Sequence, residues 1–304
     1  MKRYDRKKTV AGVSEAGGGF YPPFLHRKHS LIMYMSGIVF LIALVMFFIS
    51  MYSDWKDNNA LQELKQSLIE EKTTALQNET PTETEQPTEN VTESEMIAPV
   101  MLPEYQVLYE QNEDIIGWLF IEDTMIDYPV MQTPKDETYY LHRDFNKEEN
   151  KNGCLILDTD TYAGIGCAKQ GYVNGEPPST NLIIHGHTMK SGEMFGGLKK
   201  YADYEYGMEH NIICFDSLYE KREYELIAVF YSQVYYQSED VFKYYKFFQA
   251  DTQEEFDDWY NNIKELSLYD TGVSAEFGDE FITLSCCAYH VEDGRFVVVG
   301  KRIK

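Results

Sequence analysis

The longest apolar run in the chain covers residues 31–52, LIMYMSGIVFLIALVMFFISMY, without a single charge. At a rise of 1.5 Å per residue, such a run matches the ~30 Å hydrocarbon core of a bilayer. It is too long for a typical signal-peptide apolar region, and no A-x-A-like cleavage site follows it. A single transmembrane helix is therefore expected over 31–52. Beyond it, Leu61, Leu64, Leu68 and Leu76 recur at helical spacing among charged residues. This pattern predicts an amphipathic stalk helix able to dimerise weakly. Residues 78–99, rich in Thr, Glu and Pro, contain too few large apolar side chains to bury a core. They are expected to form a disordered, self-repelling spacer, so that 53–101 is stalk and spacer together. The sequons at Asn78 and Asn90 matter only in a host that glycosylates them.

From about Leu102 the pattern changes to short runs rich in Val, Ile, Phe and Tyr, bounded by Gly, Asp, Asn or Pro. Strands are predicted over 117–121, 128–131, 154–157, 181–185, 211–215, 224–231, 281–286 and 295–301. Helices are predicted over 102–112, 195–201 and 252–266. Many short strands with few helices imply a mainly β domain, a closed or nearly closed barrel over 102–304.

Charge adds an orientation. The first thirty residues carry seven basic side chains against Asp5 and Glu15, a balance of +5 within a chain of net charge -23. By the positive-inside rule the basic segment 1–30 is cytoplasmic and residues 102–304 are extracellular. The acidic body excludes nucleic acid as a partner, because phosphate binding needs clustered Lys and Arg.

The cysteines Cys154, Cys167, Cys214, Cys286 and Cys287 are odd in number and irregular in spacing, unlike a disulfide framework or a CxxC metal site. In a strand over 281–286, alternation places Ile282, Leu284 and Cys286 on one face and Thr283, Ser285 and Cys287 on the other. The first set reads as core and the second as a polar groove. Cys286 is then a buried spectator and Cys287 an exposed thiol. A short connection with an Asp293-Gly294 turn signal leads into a strand beginning at Arg295. If the two strands pair, Arg295 returns beside Cys287, where its guanidinium can donate two hydrogen bonds to a carbonyl or an oxyanion. The plainer reading of Arg295 is a surface ion pair with Glu292 or Asp293. The histidines within reach of such a thiol are His185, His187 and His290. His187 follows a strand and a glycine, a place suited to a catalytic imidazole. His185 and His187 flank Gly186, but no third ligand at a supporting spacing makes them a metal pair.

These residues resemble the sortase family. Thr283-Leu-Ser-Cys-Cys287 is similar to its signature T-L-x-T-C, and Gly186-His187 and Arg295 before Val-Val-Val resemble its histidine and arginine motifs. Asp114-Ile-Ile-Gly-Trp-Leu, Ile126-Asp-Tyr-Pro-Val, Tyr139-Tyr-Leu-His-Arg-Asp-Phe and the stretch from His187 to Tyr201 resemble class B in particular. Cys286 departs from the pattern, standing where the family usually has Thr. The resemblance covers about 102–304. It implies an eight-stranded sortase-type barrel with an N-terminal helix, and an insertion carrying a helix at about 232–272.

The resemblance also implies chemistry. Cys287 would attack the carbonyl after Thr in a C-terminal sorting signal, and an amine would resolve the thioester. His187 would act as general acid and base, and Arg295 would stabilise substrate and oxyanion. Ser285 is a further candidate for substrate contact. No metal or other cofactor is called for. The expected partners are surface proteins bearing sorting signals, a peptidoglycan-precursor amine, and the membrane through 31–52. Two alternatives share the sequence: a pilus-assembling enzyme using a pilin lysine as its amine, and a non-catalytic surface-binding domain on the same fold.

Overall fold

The computed structural model describes residues 23–78, 99–165 and 176–304. Most of the predicted basic segment, nearly all of the predicted spacer, and Cys167 lie outside the described residues.

Two compact units divide at Asn58, within one continuous helix, α1 (Pro23–Asn78). In the first unit, the apolar side chains from Met33 to Tyr52 are solvent-exposed along the helix. Among the described residues this is the one helix long and apolar enough to cross a bilayer.

In the second unit, Asn59–Lys304, a closed barrel is built from eight strands. They are β1 (Ile115–Phe120), β2 (Asp127–Met131), β3 (Leu155–Leu157), β4 (Asn181–Gly186), β5 (Ile212–Ser217), β6 (Lys221–Gln233), β7 (Phe281–Cys287) and β8 (Gly294–Arg302). Around the barrel their order is β1-β2-β3-β4-β7-β8-β6-β5. Ladders β2–β3 and β4–β7 are parallel and the others antiparallel. Closure leaves no free sheet edge to pair with another chain.

Alternation along the strands divides the core. Val130, Leu155, Leu182, Ile184, Leu226, Ile282, Leu284 and Val298 point into the barrel. Outside it, Ile115, Trp118, Met131 and Ile156 pack beneath α2 (Pro103–Gln111) and the turn of α1 that carries Leu64 and Leu68. Leu64 and Leu68 belong to that outer cluster, so these two leucines of the stripe read as a stalk are buried against the chain's own barrel. Lys65 pairs with Asp127 at 2.8 Å beside it.

The connection from β6 to β7 covers a second outer face. It carries a 3-10 turn, Tyr244–Lys246, and a helix, α4 (Gln253–Leu266). Thr252 caps α4: its hydroxyl accepts from the Glu255 amide, and the Glu255 carboxylate accepts from the Thr252 amide. Phe256, Trp259 and Ile263, spaced to share one side of the helix, bury against Phe281, Val297 and Val299. A short helix α3 (Tyr204–Glu209) also forms where none was predicted. The predicted helix over 195–201 is instead a 3-10 turn, Leu198–Ala202.

Candidate active site

Three neighbouring strands bring the sequence candidates to one end of the barrel. Cys287 is directly opposite Arg295 in the β7–β8 ladder. Gly186 pairs with Cys286 at the end of the β4–β7 ladder, so His187 is the next residue out on the side of β7 away from Arg295. His187, Cys287 and Arg295 line one cleft of about 500 Å³.

The β7 alternation holds. Ile282, Leu284 and Cys286 face the barrel core, whereas Cys287 is half-buried at the cleft. The expected open groove along Thr283 and Ser285, however, is closed by the β6–β7 connection. Ser285 is 1% exposed, and its hydroxyl lies 2.7 Å from the Tyr244 hydroxyl. Thr283 donates to Asn181 Oδ1 at 2.8 Å, and Asn181 Nδ2 donates to the Phe247 carbonyl. Polar alternation on an outer strand face thus marks a face sealed by hydrogen bonds, open only at Cys287.

Backbone contacts fix the approach to Cys287. The Thr188 hydroxyl donates to the Cys287 carbonyl at 2.7 Å. Ala288 N–H donates to the Gly294 carbonyl across a tight turn in which Asp293 adopts φ 51°. That left-handed residue is what an Asp-Gly turn accommodates. Arg295 makes no ion pair with Glu292 or Asp293 among the described residues. Its Nη1 donates instead to the backbone carbonyls of Asp293 and Gly294.

His187 Nε2 lies 2.8 Å from the Leu141 carbonyl. A carbonyl only accepts, so Nε2 carries the proton and Nδ1 is the basic nitrogen of the neutral ring. The His142 ring stacks on His187, with centroids 5.7 Å apart and planes inclined by 17°. Gly186 allows this placement: a Cβ there would come within 2.6 Å of Leu155 Cδ2 and of the Phe195 ring.

Burial separates the thiols. It pushes the Cys286 thiol up to about 11, against weaker lowering by Thr188 and Lys199. Burial also raises Cys154 and Cys214. No group of three or more His, Cys, Asp or Glu side chains is placed to hold a metal ion among the described residues.

His290 is not among the residues lining the cleft; its ring packs on Tyr231 at 4.8 Å, edge to face. His185 does line the cleft, 3.1 Å from Asp158. Sequence reasoning missed Asp158, Tyr244, His142 and the Leu141 carbonyl. Of these, only Leu141 and His142 stood inside a recognised motif.

Comparison with known proteins gives a consistent picture. No family model matches the chain. It is 34% identical over 203 residues to sortase B of Listeria monocytogenes, spanning 66% of this chain and 74% of that protein. Sortase B of Staphylococcus aureus is 26% identical over 204 residues, spanning 66% and 75%. Among solved structures, sortase B from Bacillus anthracis superposes with a TM-score of 0.61 at 26% identity, covering 83% of this chain and 99% of that one. The substrate complex of Staphylococcus aureus sortase B gives 0.63 at 22% identity, with the same coverage.

Proposed function

The chain belongs to the class B sortases, which are cysteine transpeptidases, and from that premise we propose that it anchors surface proteins to the cell wall from an outward-facing, membrane-held barrel. Cys287 attacks the carbonyl after Thr in a C-terminal sorting signal, giving a thioester acyl-enzyme. An amine of the peptidoglycan precursor then resolves the thioester. The observation that carries this reading is the side-by-side order His187, Cys287, Arg295 across β4, β7 and β8 at the mouth of one cleft.

Each residue has a role that its geometry suits. Cys287 combines partial exposure with a place on the cleft. His187, with Nε2 committed to Leu141, uses Nδ1 to protonate the leaving amine and later to accept a proton from the incoming one. Arg295, anchored through Nη1, holds the substrate carbonyl and stabilises the tetrahedral oxyanion. Ser285 supports the cleft from beneath through Tyr244.

The apolar helix supports a membrane anchor over 31–52, with segment 1–30 in the cytoplasm and the barrel outside. Protease added to intact cells should then release the barrel and spare the N-terminal segment.

The catalytic reading is tested with full-length protein in detergent micelles and a sorting-signal peptide. Wild-type protein should cleave the peptide and form a thioester trapped at Cys287; Cys287→Ala should do neither. Supplying a peptidoglycan-stem amine or a pilin domain then identifies the acceptor. Exclusive use of the pilin lysine would replace wall anchoring with pilus assembly. Cleavage that survives Cys287→Ala would remove the nucleophile assignment.

A further inference from the structure

The β4–β7 ladder ends with the pair Gly186 and Cys286. The two strands therefore part where each delivers its working residue, His187 and Cys287. One residue further along, a side chain takes over from the ladder. The Thr188 hydroxyl donates to the Cys287 carbonyl at 2.7 Å, a contact between residues 99 apart in the chain. Thr188 is half-buried and is not among the residues that line the cleft. Its hydroxyl acts on the backbone of the nucleophile and not on a bound substrate.

The backbone on both sides of this bond is fixed. The His187 carbonyl accepts from the Phe195 amide at 2.9 Å, and Thr188 forms a β-bridge with Met194. The Met194 amide donates in turn to the Tyr128 hydroxyl at 3.1 Å. The His187 ring is tied separately, through Nε2, to the Leu141 carbonyl. On the nucleophile's side, the Ala288 amide donates to the Gly294 carbonyl at 2.8 Å. The peptide unit joining Cys287 to Ala288 is thus held at both polar atoms, its carbonyl by Thr188 and its amide by β8. A peptide unit is planar, so fixing those atoms also fixes the Cys287 Cα that lies in the plane. Because Thr188 directly follows His187 in sequence, one hydroxyl ties the strand end of the base to that of the nucleophile.

We propose that Thr188 is a positioning residue whose hydroxyl sets the separation between the Cys287 sulfur and the His187 ring. Removing it slows thioester formation, because a displacement of about 1 Å at a reacting group can cost ~10²-fold in rate. The bond is to the backbone, so the loss is the same for every peptide and leaves substrate affinity untouched. Valine keeps the branching at Cβ and removes only the donor, whereas serine keeps the donor. The inference rests on the peptide-cleaving reading of the cleft.

The test uses full-length protein in micelles and two sorting-signal peptides of different sequence. In Thr188→Val, kcat should fall by about ten- to a hundredfold on both peptides, with KM within about twofold of wild type. Thr188→Ala, which also lacks the donor, should show the same loss. Thr188→Ser should return kcat to within a few-fold of wild type. Thermal midpoints measured in parallel identify any variant that is losing its fold. Wild-type kcat in Thr188→Val and Thr188→Ala would overturn the proposal. A loss that Thr188→Ser does not recover, one carried by KM, or one that differs between the two peptides would overturn it too, since each marks packing or substrate contact. If wild-type protein cleaves neither peptide and traps no thioester, the peptide-cleaving reading itself fails, a result distinct from a defect confined to the Thr188 variants.

Discussion

Arg295 faces Cys287 across the β7–β8 ladder, and its Nη1 is tied back to the carbonyls of Asp293 and Gly294. The anchoring ties the guanidinium to the turn at the start of β8, on the cleft that Cys287 also lines, rather than to a surface carboxylate. Arg295→Ala should lower kcat/KM by about 10²–10³, the range seen when an oxyanion donor is removed. Arg295→Lys should recover little, because a single ammonium cannot hold the carbonyl anchor and present a forked donor together. Steady-state kinetics on a sorting-signal peptide decide this; wild-type-like activity in Arg295→Ala would place the arginine outside the reaction.

The two adjacent cysteines should behave as different chemical species. Cys286 is buried with its thiol pushed up to about 11, while Cys287 opens on the cleft. Limited alkylation with iodoacetamide at pH 8, followed by peptide mapping, should modify Cys287 well before Cys286, Cys154 or Cys214. Cys286→Thr should keep activity within a few-fold, since that side chain points into the barrel. Comparable alkylation rates at Cys286 and Cys287 would contradict the division of faces.

Much of this architecture was legible in the chain because strand alternation is a local signal. Ile282, Leu284 and Cys286 declared the inner face of β7, and Asp293-Gly294 declared the turn that returns Arg295 to Cys287. What closes the outer face was not legible. Tyr244 meets Ser285 across 41 residues of chain, and no local pattern distinguishes a polar face open to water from one sealed by hydrogen bonds. Asp158 and His185, 27 residues apart, pair for a similarly non-local reason. The polarity change after Tyr52 suggested a junction between anchor and stalk. A helix backbone tolerates that change, since its hydrogen bonds do not depend on side-chain polarity, and α1 continues to Asn78.

The Tyr244–Ser285 bond gives the seal a measurable strength. Tyr244→Phe leaves the buried Ser285 hydroxyl without its partner, at a cost of about 1–3 kcal/mol. Adding Ser285→Ala removes the orphaned group and should return part of that loss. Urea unfolding of the two single variants and the double variant yields the coupling. Additive effects would mean that the two hydroxyls contribute independently.

Gly186 should resist substitution for a reason of space. A Cβ there meets Leu155 and Phe195 at 2.6 Å, so Gly186→Ala must displace core side chains or the strand. Overpacking of this kind costs about 1–3 kcal/mol. The strand end carries His187, so kcat should fall with stability. Gly197→Ala is the matched control, because the nearest atom to its added Cβ is 4.0 Å away. A stable and fully active Gly186→Ala protein would show that the site tolerates a shifted β4.

Asp158 also predicts a pH signature. Its carboxyl is opposed by burial, yet held below the ordinary value by His185, the Asp160 amide and Lys246. A carboxylate depressed in the folded state binds protons more readily when the chain unfolds. Its contribution to stability is therefore fully present above the unfolded value near 4, and is lost as pH falls through the lower folded value. Wild-type protein should accordingly be more stable than Asp158→Asn at pH 7. The gap should persist down to about pH 5 and shrink below about pH 4, where the unfolded chain's Asp158 and then the folded protein's become protonated. Urea midpoints of the two proteins at pH 7, 5 and 3 measure the gap directly. A difference that stays constant from pH 7 to pH 3, or grows toward acid, would show that Asp158 acts through packing rather than through its charge on His185.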